Sequence, residues 1–170
     1  MVTDADFAAL FVGRAAALRR TAYLLCGDWH RAEDLTQTAF AKLFAAWPRL
    51  RDPGAAESYL RRTLTHAYLD DSKRLWRREQ ATATMPEVAG QPSSTDDRIV
   101  LLAALAQVPP RQRACLVLRF FDDLSVEATA EVLSCSAGTV KSNTARGLEA
   151  LRRILGDSVS ELASLGGVTR

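Results

Sequence analysis

The sequence predicts an all-α protein made of two small helical domains joined by a flexible linker, with a helix-turn-helix in the second domain. Apolar residues recur at intervals of three and four along most of the 170 residues. No run of β-branched residues alternates with polar ones, so no strand is predicted. Prolines, serines and threonines interrupt the periodicity at 80–97, which predicts the linker. The expected units are therefore 1–79, 80–97, 98–155 and a short tail, 156–170.

Three long helices are predicted in the first domain. Helical spacing of Phe and Leu predicts the first over 5–26. The second covers about 30–47, and its expected buried stripe consists of Phe40, Leu43, Phe44 and Trp47. Asp52 followed by Pro53 is typical of an N-cap and a first helical position, so the third helix is expected from Pro53 to Glu79.

Four shorter helices are predicted in the second domain. The first is expected to be capped by Asp97 or Asp96, and the others are expected at 110–121, 125–133 and 137–155. Ser134, Cys135 and Ser136 separate the last two by a three-residue turn, which is the spacing of a helix-turn-helix. The second helix of that motif enters the DNA major groove by its N-terminal end.

Short polar and basic side chains occupy the outer face at the start of the last helix. Val140, Leu148 and Leu151 are placed to face the core on the opposite side. The outer side chains suit phosphate contacts and hydrogen bonds to base edges. They are Thr139, Lys141, Ser142, Asn143 and Arg146. The same pattern also fits a solvated polar face in an ordinary helix bundle.

The third helix is a second candidate nucleic-acid surface, because it combines six basic residues with three aromatic ones. Basic side chains pair with phosphates, and exposed aromatic rings stack on unpaired bases. Arg62, His66, Lys73 and Arg77 fall on one helical face. The alternative is a solvated basic helix with Tyr68 and Trp76 in the core.

Composition and charge exclude several classes of protein. The net charge of +2 is unevenly distributed, with +3 on residues 1–80, −3 on 81–97 and +3 on 98–155, which indicates a polyanionic partner. Three cysteines without a CxxC pair argue against a disulfide scaffold and a zinc site. Two histidines and no cluster of acids argue against an enzyme, so no catalytic residue, metal or cofactor is expected.

Location is predicted from two absences. The N-terminus MVTDADFAAL carries acids where a signal peptide needs basic residues. No apolar run approaches the length of a membrane span. A cytoplasmic protein without membrane insertion is therefore expected.

Four segments, in order along the chain, resemble motifs of one family. Ala32–Phe40 is similar to a core-polymerase-binding motif, and Tyr59–Arg74 to a promoter-melting helix that reads the −10 element. Leu105–Ser125 is similar to the start of a C-terminal domain, and Ser134–Arg152 to a helix-turn-helix that reads the −35 element. The chain thus resembles the extracytoplasmic-function group of bacterial RNA polymerase sigma factors, as a short actinobacterial-type member.

The resemblance implies a transcription initiation factor and assigns roles to residues. The expected partners are promoter DNA and the RNA polymerase core, through its largest-subunit coiled coil and its flap; an anti-sigma factor is common in the group. The positions that match the core-binding residues are Glu33, Asp34, Leu35 and Gln37, expected opposite the buried stripe. Those assigned to the −10 element are Arg49, Arg51, Tyr59, Arg62, His66, Lys73, Arg74 and Arg77.

Three positions depart from the family pattern. Thr38 stands where Glu is usual, His66 where Asn is typical, and Asn143 where Arg or Gln is frequent. The base preferences of the two surfaces therefore do not transfer to this chain. The alternative function is that of a stand-alone helix-turn-helix regulator, which would need an effector pocket and a dimerisation helix; neither is evident in the sequence.

The linker has the reach that two promoter elements require. Nineteen residues, 79–97, extend to roughly 60 Å at about 3.3 Å each. That distance corresponds to about 18 base pairs of B-DNA. The resemblance adds that the linker passes near the polymerase active site and RNA-exit path, where its acidic residues would resemble nucleic acid; a plain tether is the alternative.

Overall fold

The computed structural model describes residues 3–82 and 97–156, in which every regular element is helical. The elements of the first range are α1 (Asp4–Cys26), α2 (Trp29–Ala46), a single 3-10 turn (Trp47–Arg49) and α3 (Ala55–Thr82). Those of the second are α4 (Asp97–Ala106), α5 (Pro110–Leu116), a π-helical segment (Val117–Phe121), α6 (Val126–Leu133) and α7 (Ala137–Leu155). The predicted all-α fold with two helical regions is confirmed.

The predicted linker and tail lie largely outside the described residues. Residues 80–82 continue α3, and Asp97 is the first residue of α4. The rest of the linker, 83–96, and the tail, 157–170, are not described. Asp96, one of the two proposed caps of α4, is among them.

Helices α1, α2 and α3 pack around an apolar core. Leu25, Leu43 and Leu64 are fully buried at its centre. At one end, the Phe7 ring makes edge-on contacts with Phe40, Phe44 and Trp47, with centroids 5.0–6.3 Å apart. Edge-on aromatic pairs contribute about 0.5–1.5 kcal/mol beyond their buried area.

The buried stripe of α2 is rotated from the predicted one. Leu35 is 4% exposed and belongs to the core, whereas Phe44 is 55% exposed. The centre of the stripe runs through Ala32, Ala39 and Leu43, all fully buried. Phe44 lies 100° further round the helix and reaches only the edge of the core. The placement of Leu35 opposite the stripe was therefore wrong.

The start of α3 also differs from the prediction. The Asp52 carboxylate accepts a hydrogen bond from the Gly54 amide at 2.9 Å, and the Ala55 amide donates to the Asp52 carbonyl at 3.1 Å. These bonds close a turn over the residues after Asp52, which is a frequent use of aspartate. The helix consequently begins at Ala55, two residues after Pro53.

The second region is built from short helices with unusual connections. The predicted helix over 110–121 changes to π geometry after Leu116, and the Asp122 amide donates to the Val117 carbonyl at 3.0 Å. Asp123 then adopts a left-handed conformation with φ of +53°. π-helical turns are rare and occur frequently at functional sites. Here the segment directs Asp122 back toward the first region.

The two regions pack directly against each other. Helix α3 contacts α5 and α6, while α1 contacts α4, α5 and the π segment. Arg113 is 8% exposed, and its guanidinium donates to the Leu25 carbonyl of α1 at 2.6 Å. The same group donates to the Ala106 carbonyl at the end of α4 and to the Val108 carbonyl two residues later. A cation among helix C-terminal carbonyls is electrostatically favourable, so Arg113 ties the two regions together.

Candidate nucleic-acid interface

The start of α7 is organised by the turn that precedes it. Ser134 has a left-handed φ of +53°, which ends α6, and its amide donates to the Glu131 carbonyl. The Ser136 hydroxyl accepts from the Thr139 amide at 3.1 Å and caps α7. The sharp turn and the cap fix the angle between α6 and α7, as a helix-turn-helix requires.

Three of the five residues predicted for the −35 surface are freely accessible. Lys141, Ser142 and Arg146 are exposed on the face opposite the buried Val140. Gly138 and Ala145 are exposed on the same face and were absent from the prediction. Their small size leaves room for the helix to approach a DNA groove closely.

The other two predicted residues, Thr139 and Asn143, already make hydrogen bonds at the start of α7. Thr139 is half-buried, and its hydroxyl lies 2.9 Å from that of Ser136. Asn143 is half-buried and donates its amide nitrogen to the Thr139 carbonyl at 3.0 Å. Asn143 must give up this bond before its NH₂ group contacts a base edge.

The second half of α3 presents a basic, solvent-facing surface. The predicted −10 residues that are exposed on α3 are Arg62, Lys73, Arg74 and Arg77. Trp76 is 62% exposed, so its ring is accessible for stacking. Tyr68 is 2% exposed and belongs to the core, and its burial raises the pKa of the phenol. The alternative placement in the core is thus correct for Tyr68 and wrong for Trp76.

Three further predicted −10 residues lie at the start of the surface. Arg49 and Arg51 are exposed in the connection between α2 and α3, where they are free to approach a phosphate. Tyr59 is half-buried, and its hydroxyl donates to the Lys42 carbonyl at 3.5 Å. Tyr59 therefore helps to join α3 to α2.

The middle of α3 is covered by the helix-turn-helix. The His66 Nε2 atom lies 2.9 Å from the Val132 carbonyl oxygen and 3.4 Å from the Ser134 hydroxyl. Because the carbonyl oxygen accepts, His66 donates from Nε2. Arg62 shares a shallow surface recess with Glu131 and Cys135 of the opposite region. The end of α6 and the turn before α7 therefore cover the predicted −10 surface at His66.

A polar network that the sequence did not reveal lies beside this contact. The Asp122 carboxylate accepts from Arg61 Nε at 3.1 Å and from the Thr21 hydroxyl at 2.8 Å. Arg61 also pairs with Glu57 at 3.1 Å, and Glu57 with Arg14 at 2.9 Å. Asp122 directly follows the π segment, which no residue pattern predicted, and lies within reach of both partners.

A cavity of about 540 Å³ lies next to this network, between the two regions. Apolar side chains of both regions line it, among them Leu24, Leu60, Leu102 and Phe121. Arg61 and Asp122 contribute polar atoms to its wall. The sequence had given no clear sign of a pocket.

The predicted polymerase-binding residues of α2 occupy different environments. Asp34 and Gln37 are exposed, whereas Glu33 is half-buried and pairs with Arg19 at 3.3 Å. Leu35, as a core residue, is not available to a partner. The accessible part of the predicted surface is thus Asp34 and Gln37, beside Glu33.

An exposed aromatic cluster adjoins this surface and was not predicted. Trp29 is 50% exposed, stacks on Tyr23 at 4.0 Å and carries the Arg19 guanidinium 5.6 Å above its ring. Asp28 caps α2 just before Trp29, and its hydrogen bonds from the Arg31 and His30 amides lower the pKa of its carboxyl. The sequence feature that could have indicated this cluster is a tryptophan directly after a helix-capping aspartate.

The described ranges, 3–82 and 97–156, contain neither a cluster of metal ligands nor a helix suited to cross a membrane. Within them, no three His, Cys, Asp or Glu side chains are grouped as metal ligands would be. Among the helices of those same ranges, none has the length and apolar character needed to cross a membrane.

Known proteins are similar to this chain in sequence. Family models of sigma-70 region 2 and sigma-70 region 4 match residues 11–78 and 98–151. The RNA polymerase sigma-E factor of Streptomyces antibioticus is 35% identical over 152 residues, covering 88% of this chain and 84% of that protein. The ECF RNA polymerase sigma factor SigE of Mycolicibacterium smegmatis is 37% identical over 153 residues, covering 85% of this chain and 59% of that protein.

A solved structure extends the likeness to the fold. The sigma factor RpoE of Bartonella quintana, solved in complex with the anti-sigma factor NepR, matches with a TM-score of 0.72 at 24% identity. The match covers 89% of this chain and 98% of that one. The arrangement of helices is therefore shared by the two proteins.

Proposed function

The chain belongs to the extracytoplasmic-function group of RNA polymerase sigma factors, which direct transcription initiation, and we propose that it reads promoters through the two surfaces described above. The exposed N-terminal face of α7 would read the −35 element. The basic face of α3, with Trp76, would bind the unpaired −10 strand. The protein works in the cytoplasm, where promoters and polymerase are found. Binding to an anti-sigma factor stays a prediction.

One observation carries the −35 assignment: polar residues face solvent at the capped start of the second helix of a helix-turn-helix. Donors at a helix N-terminus and short polar side chains are the groups that contact phosphates and base edges in the major groove. Lys141 and Arg146 would contact phosphate or guanine, and Ser142 either base edges or phosphate. The buried face of α7 would meanwhile pack against the rest of the second region.

The −10 assignment rests on exposure along α3. Lys73, Arg74 and Arg77 supply positive charge on the outside of one helix, and Trp76 supplies an accessible ring beside them. Stacking on an aromatic ring contributes about 1–3 kcal/mol per base and needs unpaired DNA. This surface therefore suits a melted strand better than a closed duplex.

Polymerase would supply the affinity that either surface lacks alone. A single helical module buries roughly 600–1,000 Å² and gives limited specific affinity. Docking of the core on Asp34 and Gln37 would make both DNA contacts intramolecular and raise their effective concentration. A regulator that acts without polymerase would need tight binding from α7 alone.

The test is run-off transcription with purified core polymerase and the Asp34→Arg variant. We expect loss of core binding and of promoter-specific transcripts, because the reversed charge faces the polymerase. Asp4→Arg is the matched control, since it makes the same charge change at an exposed site on α1, away from the residues assigned to DNA and polymerase. Circular dichroism would establish that both variants remain helical.

Two results would contradict the proposal. Normal transcription by Asp34→Arg would remove the polymerase contact from α2. Tight, site-specific duplex binding by the protein without polymerase would favour a stand-alone regulator.

A further inference from the structure

The cavity between the two regions is separate from the surfaces assigned to DNA and polymerase. Its volume is about 540 Å³, and its lining residues belong to both helical regions. None of the described residues that line it is among those assigned to the −10 element, the −35 element or polymerase. Small-molecule sites are clefts of about 300–1,000 Å³, lined mostly by apolar side chains with a few polar groups. The cavity has the size of such a site, and the proposed contacts with DNA and polymerase do not account for it.

The buried part of the cavity is apolar. Leu18 of α1, Leu60 of α3 and Leu105 of α4 line it and are each at most 9% exposed. Leu24 and Leu102 also line it and are half-buried. Leucines that border a cavity of this size make fewer packing contacts than leucines of a close-packed core. An apolar ligand would supply those contacts and would gain affinity with each methylene that it buries.

The polar part of the cavity lining carries an excess of two positive charges. It consists of four arginines and two acids: Arg14, Arg20, Arg61, Arg98, Glu57 and Asp122. Both acids already have cationic partners, since Glu57 pairs with Arg14 at 2.9 Å and with Arg61 at 3.1 Å, and Asp122 pairs with Arg61 at 3.1 Å. No acid of ranges 3–82 and 97–156 forms an ion pair with Arg20. The charge of the lining therefore favours an anionic group.

Arg20 joins the polar and apolar parts of the lining. It is exposed on α1, three residues after Ala17 and four residues before Leu24, and both of these neighbours also line the cavity. Residues three and four apart share one face of a helix, so this face of α1 presents a cation beside apolar side chains. A guanidinium binds a carboxylate through two parallel hydrogen bonds. Arg20 is therefore placed to hold the anionic head of a ligand whose apolar part enters the cavity.

We propose that the cavity is a binding site for a fatty-acid anion, with the alkyl chain against Leu18, Leu60 and Leu105 and the carboxylate at Arg20. A nucleotide fits less well, because its base and sugar carry polar groups that leucines leave without hydrogen bonds. The ligand would contact helices of both regions, so its binding would stabilise the folded chain and raise its melting temperature. This inference does not depend on the proposed roles of α3 and α7 in reading DNA.

The first experiment titrates the full chain with sodium decanoate below its micellar concentration, by isothermal titration calorimetry. Octanoate, which is shorter by two methylenes, should bind about fifteenfold more weakly, because each buried methylene changes affinity about fourfold. Decyltrimethylammonium has the same length of tail and a cationic head, so it should bind at least about tenfold more weakly than decanoate. Decanoate should also raise the melting temperature of the chain, and decyltrimethylammonium at the same concentration should not.

Two pairs of variants locate the site. Arg20→Gln should weaken decanoate binding about tenfold, as expected from loss of a hydrogen bond to a charged group. Arg111→Gln removes the same charge at an exposed site on α5 outside the cavity and should match the wild type. Ala17→Phe places a ring at the cavity lining and should weaken binding by at least about tenfold, since the ring takes up space that the alkyl chain needs. Ala16→Phe is its control, because Ala16 is also exposed on α1 and does not line the cavity.

The proposal is overturned if decanoate does not bind, or if decanoate and decyltrimethylammonium bind alike. Equal affinities for octanoate and decanoate would overturn burial of the alkyl chain. Equal binding of decanoate by Ala17→Phe and Ala16→Phe would place the ligand outside the cavity and overturn the site. Circular dichroism identifies a variant that fails to fold; if this is Ala17→Phe, the comparison of Arg20→Gln with Arg111→Gln decides the question.

Discussion

The two DNA-reading surfaces differ in where they lie on their helices. The −35 surface is at the N-terminus of α7, and the turn and cap that organise it are within six residues of it. The −10 surface runs along the middle and second half of α3, and part of it is covered by a different region. A surface at a helix terminus is shaped by local hydrogen bonds, whereas the accessibility of a surface along a helix depends on what packs against it.

The largest effect on the −35 surface is expected where α7 packs against α5 at Gly147. A Cβ atom at Gly147 would lie 3.0 Å from the Leu116 side chain and 3.3 Å from the Gln112 carbonyl. We expect Gly147→Val to destabilise the second region by about 3 kcal/mol, the upper range for overpacking. Thermal unfolding by circular dichroism and binding to −35 duplex should both show the loss.

Gly138→Ala is the control for that substitution. It lies on the same helix, and the only neighbour within 4 Å of an added Cβ is the Ser136 hydroxyl oxygen at 3.8 Å. Since alanine favours the helix over glycine by about 1 kcal/mol, the control should match or exceed the wild-type stability. A wild-type melting temperature for Gly147→Val would mean that α5 and α7 do not need this close approach.

Two side chains on the −35 surface sharpen the distinction between sequence preference and general affinity. Lys141→Ala should weaken binding to all sequences and lower the dependence on log salt by about one. Asn143→Ala should change the preference at one base by about 1 kcal/mol, the lower end for a bidentate contact, because its amide must first leave the Thr139 carbonyl. Binding selections on a randomised −35 library would separate the two effects.

The variants serve as controls for each other in that selection. An unchanged preference profile for Asn143→Ala would remove this residue from base reading. A changed profile for Lys141→Ala would mean that lysine contacts a base as well as the backbone.

On α3, the contribution of base stacking to DNA binding can be measured separately from that of the basic side chains. Trp76→Ala should weaken holoenzyme binding to a premelted −10 template by about 1–2 kcal/mol, with no change in thermal stability, since the ring is 62% exposed. Tyr68→Phe is the aromatic control, because Tyr68 is buried and has no accessible face. Equal binding by Trp76→Ala and the wild type would leave only charge contacts on this surface.

Much of the fold and part of the site were predictable from local patterns. The helix boundaries mostly agree to within two or three residues, since caps such as Ser125 and Ser136 act on the amides that follow them. The outward side of α7 was also predictable, because Val140 and Leu151 define its buried side. Leu35 and Phe44 were misplaced, since a one-residue error in the centre of a helical stripe rotates its edges by 100°.

The sequence alone was sufficient to predict the helical class, the two regions, the helix-turn-helix and the basic face of α3. Each of these features follows from residues a few positions apart. The Arg113 contact with Leu25 and the Asp122 network involve partners 61 to 101 residues away in sequence. The spacing of residues along a helix does not predict such long-range pairs, because it does not say which distant residue a polar side chain will contact. Only the packing of one region on the other decided which of the two reading surfaces is covered.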